Sequence, residues 1–388
     1  MIPKTSWPKY DSKLIKKINK ILVSGKTNYL SGPEGKNFEK NFSKYFNIKY
    51  SIAVANCSIG LELALTSLNL KREDEVIVTP RSFYSSVSCV ERVGLKPIFA
   101  DIKLNTMNID PESIKKKITK KTKAIICVHL YGMPCDMKEI IEISKKNNLK
   151  VIEDCSQAHG AKILDKYVGS FGDIAVFSFC QDKIISTGGE GGMITTNNNK
   201  YFNKIWSLKD IGKNRNKFFN IDTKSNFFPW VHDDIGTNAR LTEIQSCIGN
   251  YQLTKLKKYL KKRNENANIF YNHFKNCNSI ILPPLNSNIT HAFYRFTIII
   301  KDKLINRSKL MNALKTYNIS CTVGGCPTIY KEKYFMNKYN VSNVSKYCKN
   351  AEFLKDKTIC FLIDQTIQKK QISKICNILL KEINKLKN

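Results

Sequence analysis

The sequence predicts an α/β fold: a large domain with a mostly parallel central sheet flanked by helices, followed by a smaller C-terminal α+β domain. Three observations predict it. Short apolar runs alternate with amphipathic stretches through the first two thirds of the chain, the pattern of a sheet wound with crossover helices. Near residue 250 the texture changes to a long polar helical stretch. The chain has 388 residues, 42% hydrophobic and 10% aromatic, enough for a large core and about two structural units.

The elements follow in order. "YSIAVAN" reads as a strand, and "IGLELALTSLNL" as a helix with apolar residues at 59, 61, 63, 64, 65 and 68. "DEVIVTP" is a strand, "SSVSCVERVG" a helix closed by Gly94, and "KPIFADI" a strand. The same order returns in "KAIICVHLYG" (strand), "MKEIIEISKKNN" (helix) and "KVIEDCS" (strand). "DIAVFSF" and "GGMITTN" are two further strands on either side of a loop that holds Lys183. Loops at strand C-terminal ends are where such sheets bind ligands. "EIQSCIGNYQLTKLKKYLKKRNENANIFYNHF" predicts one long helix or two; after it come a strand, "AFYRFTIII", and helices at "SKLMNALKTYN" and "QISKICNILLKEINKL". The division is drawn at 1–254 and 255–388, with the N-terminal segment a candidate to pack on the smaller domain. No internal repeat is present.

Composition excludes several classes. The formal charge is +32, from 64 Lys+Arg against 32 Asp+Glu. The lysines are spread over helix faces such as "SIKKKITKKTK" and "KLKKYLKKR", and no helix-turn-helix, zinc-finger or RNP motif accompanies them. Solvated faces are therefore favoured over a nucleic-acid surface. The N-terminus lacks the apolar core of a secretion signal, and nothing approaches a membrane-spanning run. A cytoplasmic protein is expected. Thirteen scattered cysteines form no CxxC, and the close pair Cys321 and Cys326 has no matching second pair. No structural disulfide or metal is expected.

Four short stretches carry chemistry. In "VANCSIGLELAL" the backbone N–H groups of Cys57, Ser58 and Ile59 fall at a helix N-terminus, a phosphate site or simply a capped turn. "VIEDCSQAHGA" ends an apolar strand with Glu153 and Asp154 and continues to Gln157 and His159. A buried carboxylate there wants a cationic partner, unless it only caps the next element. His159 reads as a packed residue, since no second metal ligand stands at a matching spacing. Ser178 and Lys183 follow the next strand, and the glycines at 188, 189, 191 and 192 permit a tight turn or a plain hairpin. A lysine, an acid and a helix-terminal phosphate site are the three handles that pyridoxal 5'-phosphate requires. In "HDDIGTNARLTEIQ", Asn238 and Arg240 precede a helix, where ordinary capping and surface charge are the alternatives.

On these residues the chain resembles the DegT/DnrJ/EryC1/StrS family of nucleotide-sugar aminotransferases, of the aspartate-aminotransferase-like fold type I. The likeness also covers "GKTNYLSGPEGKNFEKNF", "DEVIVTPRSFYSSVSCVERVGLKPIFADI" and "AIICVHLYGMPCDM", and runs through about residues 7 to 260. The resemblance implies that Lys183 anchors pyridoxal phosphate covalently and that Asp154 meets the ring nitrogen. It places Gln157 near the ring's 3-oxygen and Phe83 on the ring face, with Ser178, Cys57 and Ser58 around the phosphate. Asn238 would reach the phosphate from a partner subunit, which implies a homodimer with shared sites. Arg240 and Tyr29 are the candidate substrate contacts. The implied reaction moves an amino group from L-glutamate to a keto carbon of a nucleotide-linked sugar, in surface polysaccharide or glycoside synthesis. Two departures stand out. Cys57-Ser58 replaces a common Gly-Thr, and "FSFCQDK" replaces "FSFHPTK", which bears on the sugar. A related dehydratase branch carries His at the lysine position, so Lys183 argues for transamination. A dehydratase, or a non-enzymatic regulator on the same fold, is the alternative.

Overall fold

The computed structural model describes residues 5–222 and 227–387. Its centre is a seven-stranded sheet of β1 (Tyr50–Val54), β2 (Glu75–Val78), β3 (Lys96–Phe99), β4 (Thr122–Val128), β5 (Lys150–Asp154), β6 (Ile174–Ser178) and β7 (Gly192–Thr196). The spatial order is β1-β7-β6-β5-β4-β2-β3. The pairs of β2, β3, β4, β5 and β6 are parallel, and β7 runs antiparallel to β1 and β6. The sequence reads this way because strands buried on both faces need continuous apolar runs, and "AIICV", "VIE" and "IAVFS" supply them.

Helices cover both faces. α1 (Ser12–Ser24) and α2 (Glu34–Phe46) precede the sheet, and α3 (Cys57–Ser67), α4 (Ser85–Arg92), α5 (Met137–Lys146) and α6 (Asn199–Lys209) follow its strands. Of the two N-terminal helices, the sequence shows the first only as the lysine-bearing face "KKINK" and the second not at all. Yet α2 has Phe38, Phe42 and Phe46 at four-residue spacing on one face, all buried among Phe177 and Phe179. α3 lies so close to β6 that a Cβ on Gly60 would meet Val176 Cγ1 at 2.7 Å. Gly94, at φ +78°, closes α4 by donating its N–H to Glu91 O.

The expected long helix is two, α7 (Glu243–Leu253) and α8 (Leu256–Phe274). Beyond them a second sheet holds β8 (Ile280–Ile281), β9 (Phe296–Ile300), β10 (Cys321–Thr322) and β11 (Thr358–Phe361), in the order β8-β9-β11-β10. It packs with α9 (Arg307–Thr316) and α10 (Lys369–Lys387) around Phe270, Phe296 and Phe361. Ile329, Tyr330, Phe335 and Leu354, from between the last strands of that sheet, join the large core instead. No helix among the described residues is long and apolar enough to cross a membrane.

The last two residues of β5 point to opposite faces, as strand alternation requires. Glu153 turns inward. Its Oε1 accepts the N–H groups of Phe171 and Gly172, and Oε2 accepts that of Gly169 and faces His129 Nε2 at 3.0 Å. His129 Nδ1 accepts the Cys135 N–H, so the Nε2 proton belongs to Glu153. Cys155 completes a buried trio with metal-ligand chemistry, but both ring nitrogens are spent on hydrogen bonds. Glu153→Ala would orphan the buried N–H of Gly169, the buried His129 Nε2 and the partly buried N–H groups of Phe171 and Gly172, and we expect a loss of about 3 kcal/mol or more. Urea denaturation against the exposed Glu142→Ala checks it; equal midpoints would refute the structural role.

Candidate active site

The parallel strands end along one edge of the sheet, and their C-terminal loops enclose a cavity of roughly 740 Å³. β1 leads to Asn56, Cys57 and Ser58; β2 to Ser82, Phe83, Ser85 and Ser86; β4 to Tyr131; β5 to Asp154, Ser156 and Gln157; β6 to Ser178 and Lys183. Tyr294 and Arg295 close the wall from the start of β9.

The α3 end of the cavity suits an anion. Asn56 caps the helix by accepting the Ile59 N–H at 3.0 Å, while the Cys57 and Ser58 N–H groups have no acceptor among the described residues. The turn is reached closely by β7: a Cβ on Gly192 would lie 2.8 Å from the Asn56 carbonyl carbon. Ser58 Oγ and Ser85 Oγ are 2.7 Å apart, and Cys57 Sγ lies 2.9 Å from Ser156 Oγ. Burial, then the Asp154 charge, pushes the Cys57 thiol well above its ordinary value, so it stays a thiol.

At the cavity floor Asp154 is 3% exposed. Its Oδ2 accepts from Ser86 Oγ at 2.7 Å and its Oδ1 from the Ser156 N–H at 3.1 Å, but no cationic side chain among the described residues pairs with it. A buried carboxylate so placed lacks only a positive partner. Gln157 is fixed by the Tyr131 N–H on its Oε1 at 2.7 Å, which leaves its amide nitrogen as a donor. His159 packs on the rings of Phe177 and Phe179, and burial, then Lys183, lowers its pKa to about 3.

Lys183 sits in a closed turn. Its N–H reaches Cys180 O at 2.9 Å, its carbonyl accepts the Trp7 indole N–H at 2.8 Å, and Gly188 and Gly189 turn with φ of +91° and +140°. Its Nζ lies 3.3 Å from Tyr294 Oη and 3.5 Å from Asp182 Oδ1. Tyr294 donates to Asp182 Oδ2, which Arg295 Nη2 also contacts at 3.1 Å. Burial works to lower the Lys183 amine, but Tyr294 and Asp182 outweigh it and hold the amine above its ordinary value. Burial likewise works to raise the Asp182 carboxyl, while Lys183, Tyr294 and Arg295 together hold it below.

The structure thus brings together Lys183, Asp154, Gln157, Ser178, Cys57, Ser58 and Phe83, the last 65% exposed. Three expected residues lie outside the cavity. Tyr29 is buried, with its hydroxyl on Glu39 and its ring 3.7 Å from the Lys209 amine. Arg240 is tied to buried Asp210 at 2.8 Å. Asn238 is exposed on the strand-like segment that pairs with Asp210. Sequence reading missed Ser86, Tyr131, Tyr294 and Arg295. The only signal for the last two was a tyrosine and an arginine at the head of an otherwise apolar strand, "AFYRFTIII".

Comparison with known proteins gives four findings. The DegT/DnrJ/EryC1/StrS aminotransferase family matches residues 8–380. GDP-perosamine synthase of Escherichia coli O157:H7 is 37% identical over 318 residues, 80% of this chain and 81% of that protein. Among solved structures, an aminotransferase from Psychrobacter cryohalolentis is 35% identical with a TM-score of 0.94, covering all of both chains. An E. coli GDP-4-keto-6-deoxy-D-mannose-3-dehydratase with bound hydrated PLP is 28% identical with a TM-score of 0.84, covering 97% of this chain and 98% of that one.

Because an amine must lose its proton before it attacks a carbonyl, the Asp182 contact holds back Lys183 reactivity at neutral pH. Asp182→Asn should lower the lysine pKa and move the pH profile of its reductive methylation by formaldehyde to lower pH, as read by mass spectrometry. An unmoved profile would dismiss the coupling.

Proposed function

Because the chain belongs to the DegT/DnrJ/EryC1/StrS aminotransferase family, we propose that it uses pyridoxal phosphate to transfer the amino group of L-glutamate to a keto carbon of a nucleotide-linked sugar, a step of surface polysaccharide or glycoside synthesis. The observation that carries the reading is the pairing, in one cavity, of a partly buried lysine amine with a buried carboxylate that has no cation among the described residues. Those residues fit the cofactor. Lys183 would hold it covalently, Asp154 would pair with the ring nitrogen, and Gln157 would offer its amide nitrogen to the 3-oxygen. Phe83 covers the ring, and the phosphate goes to the free N–H groups of Cys57 and Ser58 with Ser178 beside them.

When bound, pyridoxal phosphate supplies a ring that accepts electron density from the substrate carbon that loses a proton. The chain does the rest. Lys183 Nζ, once free, would take that proton and deliver it to the other side of the transferred nitrogen, and Tyr294 Oη and Asp182 Oδ1 would hold the intervening ammonium in place. Asp154 would keep its partner nitrogen charged.

The active unit is a homodimer in which Asn238 of one copy completes the phosphate site of the other. Phe228, Trp230 and Ile235, on the segment leading to Asn238, are 69, 83 and 92% exposed, an apolar surface of the kind that a partner covers. Arg240 acts on substrate by the same route, from across the dimer, whereas Tyr29, buried on Glu39 and Lys209, takes no part. The chain divides at 254/255 into cofactor-binding and smaller domains, and it works in the cytoplasm, where thiols stay reduced. Lysine at position 183, where the dehydratase branch carries histidine, favours transamination over dehydration.

Two outcomes are expected. After incubation with pyridoxal phosphate and borohydride reduction, mass spectrometry should find the cofactor on Lys183, and Lys183→Ala should abolish glutamate-dependent 2-oxoglutarate release from a still-folded dimer. Normal turnover in that variant would end the assignment. Asp154→Asn, which loses a charged hydrogen bond, should slow turnover by roughly tenfold or more; an unchanged rate would remove Asp154 from the ring nitrogen.

A further inference from the structure

Of the residues that line the cavity, Arg295 is the cation that the proposed chemistry leaves unused. Both of its hydrogen bonds leave from Nη2, to Asp182 Oδ2 at 3.1 Å and Tyr294 Oη at 3.4 Å. Its Nε and Nη1 have no partner among the described residues, and its side chain is 19% exposed, at the cavity wall. The guanidinium also lies 4.5 Å from the centre of the Tyr294 ring, which fixes its plane. The lining otherwise offers one cation, Lys183, against three carboxylates, Asp154, Asp182 and Glu190. With Lys183 given to the cofactor, Arg295 is the lining cation that an entering anionic substrate group can meet.

We infer that Arg295 is the subsite for the α-carboxylate of the amino-acid donor, with Asp182 occupying part of it until the donor arrives. The inference rests on the aminotransferase reading and adds to it the residue that recognises the donor. Geometry selects the donor over the sugar nucleotide. Arg295 Nη2 and Lys183 Nζ share one phenolic oxygen, at 3.4 and 3.3 Å. In an α-amino acid the carboxylate is bonded to the amine-bearing carbon, so its cation must stand this close to the reacting amine. In a nucleotide sugar the diphosphate is held off from the keto carbon by the sugar ring. Each edge of the guanidinium that can grip a carboxylate in two parallel hydrogen bonds includes Nη2, so the donor gains such an edge by displacing Asp182 from it. The donor carboxylate takes that edge and draws Arg295 from Asp182, whose carboxylate then serves Lys183 alone.

The test titrates glutarate, which has the carboxylates of L-glutamate but no amine, into cofactor-loaded protein by calorimetry. It follows the visible spectrum in parallel as L-glutamate is added. Arg295→Gln, first checked for cofactor on Lys183, should weaken glutarate binding and raise the half-saturating L-glutamate concentration by roughly 10- to 100-fold. UDP, dTDP and GDP should bind as before. Arg295→Lys should recover part of the loss, since an ammonium restores the charge but not the fork. Asp182→Asn, which frees the guanidinium, should tighten glutarate, and this arm decides the matter if Arg295→Gln does not fold. Equal glutarate affinity in wild type and Arg295→Gln overturns the subsite. So does glutarate that Asp182→Asn binds no better, or a loss confined to the nucleotide diphosphates. A wild-type protein that loads no cofactor, or whose spectrum is unmoved by L-glutamate, instead defeats the aminotransferase reading, and the subsite falls with it.

Discussion

The parallel pairing of β4, β5 and β6 is the constraint on which the site depends. Val128 is opposite Asp154, and Asp154 is opposite Val176, so three strands end within two residues of one another. Every loop that leaves this edge faces the same space. β5 sits in the middle, and the alternation of its side chains sends Glu153 into the loops behind and Asp154 into the cavity. A shift of register by one residue would exchange the two carboxylates, and with them the organising anion and the reactive one.

Charge is handled differently at the two positions. Glu153 is surrounded by hydrogen-bond donors and held below the ordinary carboxylate range by His129 and backbone N–H groups, against the opposing push of burial. Asp154 receives only a hydroxyl and one N–H. A carboxylate supported by two donors and no cation is costly unless a charged ligand completes it, which is why a structural acid and a ligand-binding acid can be told apart here by their partners.

Much of this was legible in the sequence. The apolar runs gave every strand of the central sheet, because a strand buried on both faces cannot hide its composition. Lys183, Asp154 and Gln157 could be read because each follows its own strand by a few residues, so linear position and place at the site coincide. Tyr294 and Arg295 could not. They lie 111 and 113 residues from their partners Lys183 and Asp182, in a segment whose apolar content announces only a strand. Tyr29 stood in a stretch rich in turn residues, and nothing local indicated that Glu39 and Lys209 would bury it. The second N-terminal helix escaped for another reason: its lysines mask the apolar face until Phe38, Phe42 and Phe46 are seen against the core.

The Lys183 loop is held from both directions along the chain. Trp7, 176 residues before it, binds its carbonyl, and Tyr294, 111 residues after it, binds its amine. Contacts so distant in sequence form late, since the intervening chain must first be ordered. During synthesis the ribosome has therefore to release more than three quarters of the polypeptide before the lysine finds its neighbours. The nascent protein passes most of its translation as an incomplete apoprotein, and cofactor capture becomes a mark of finished folding.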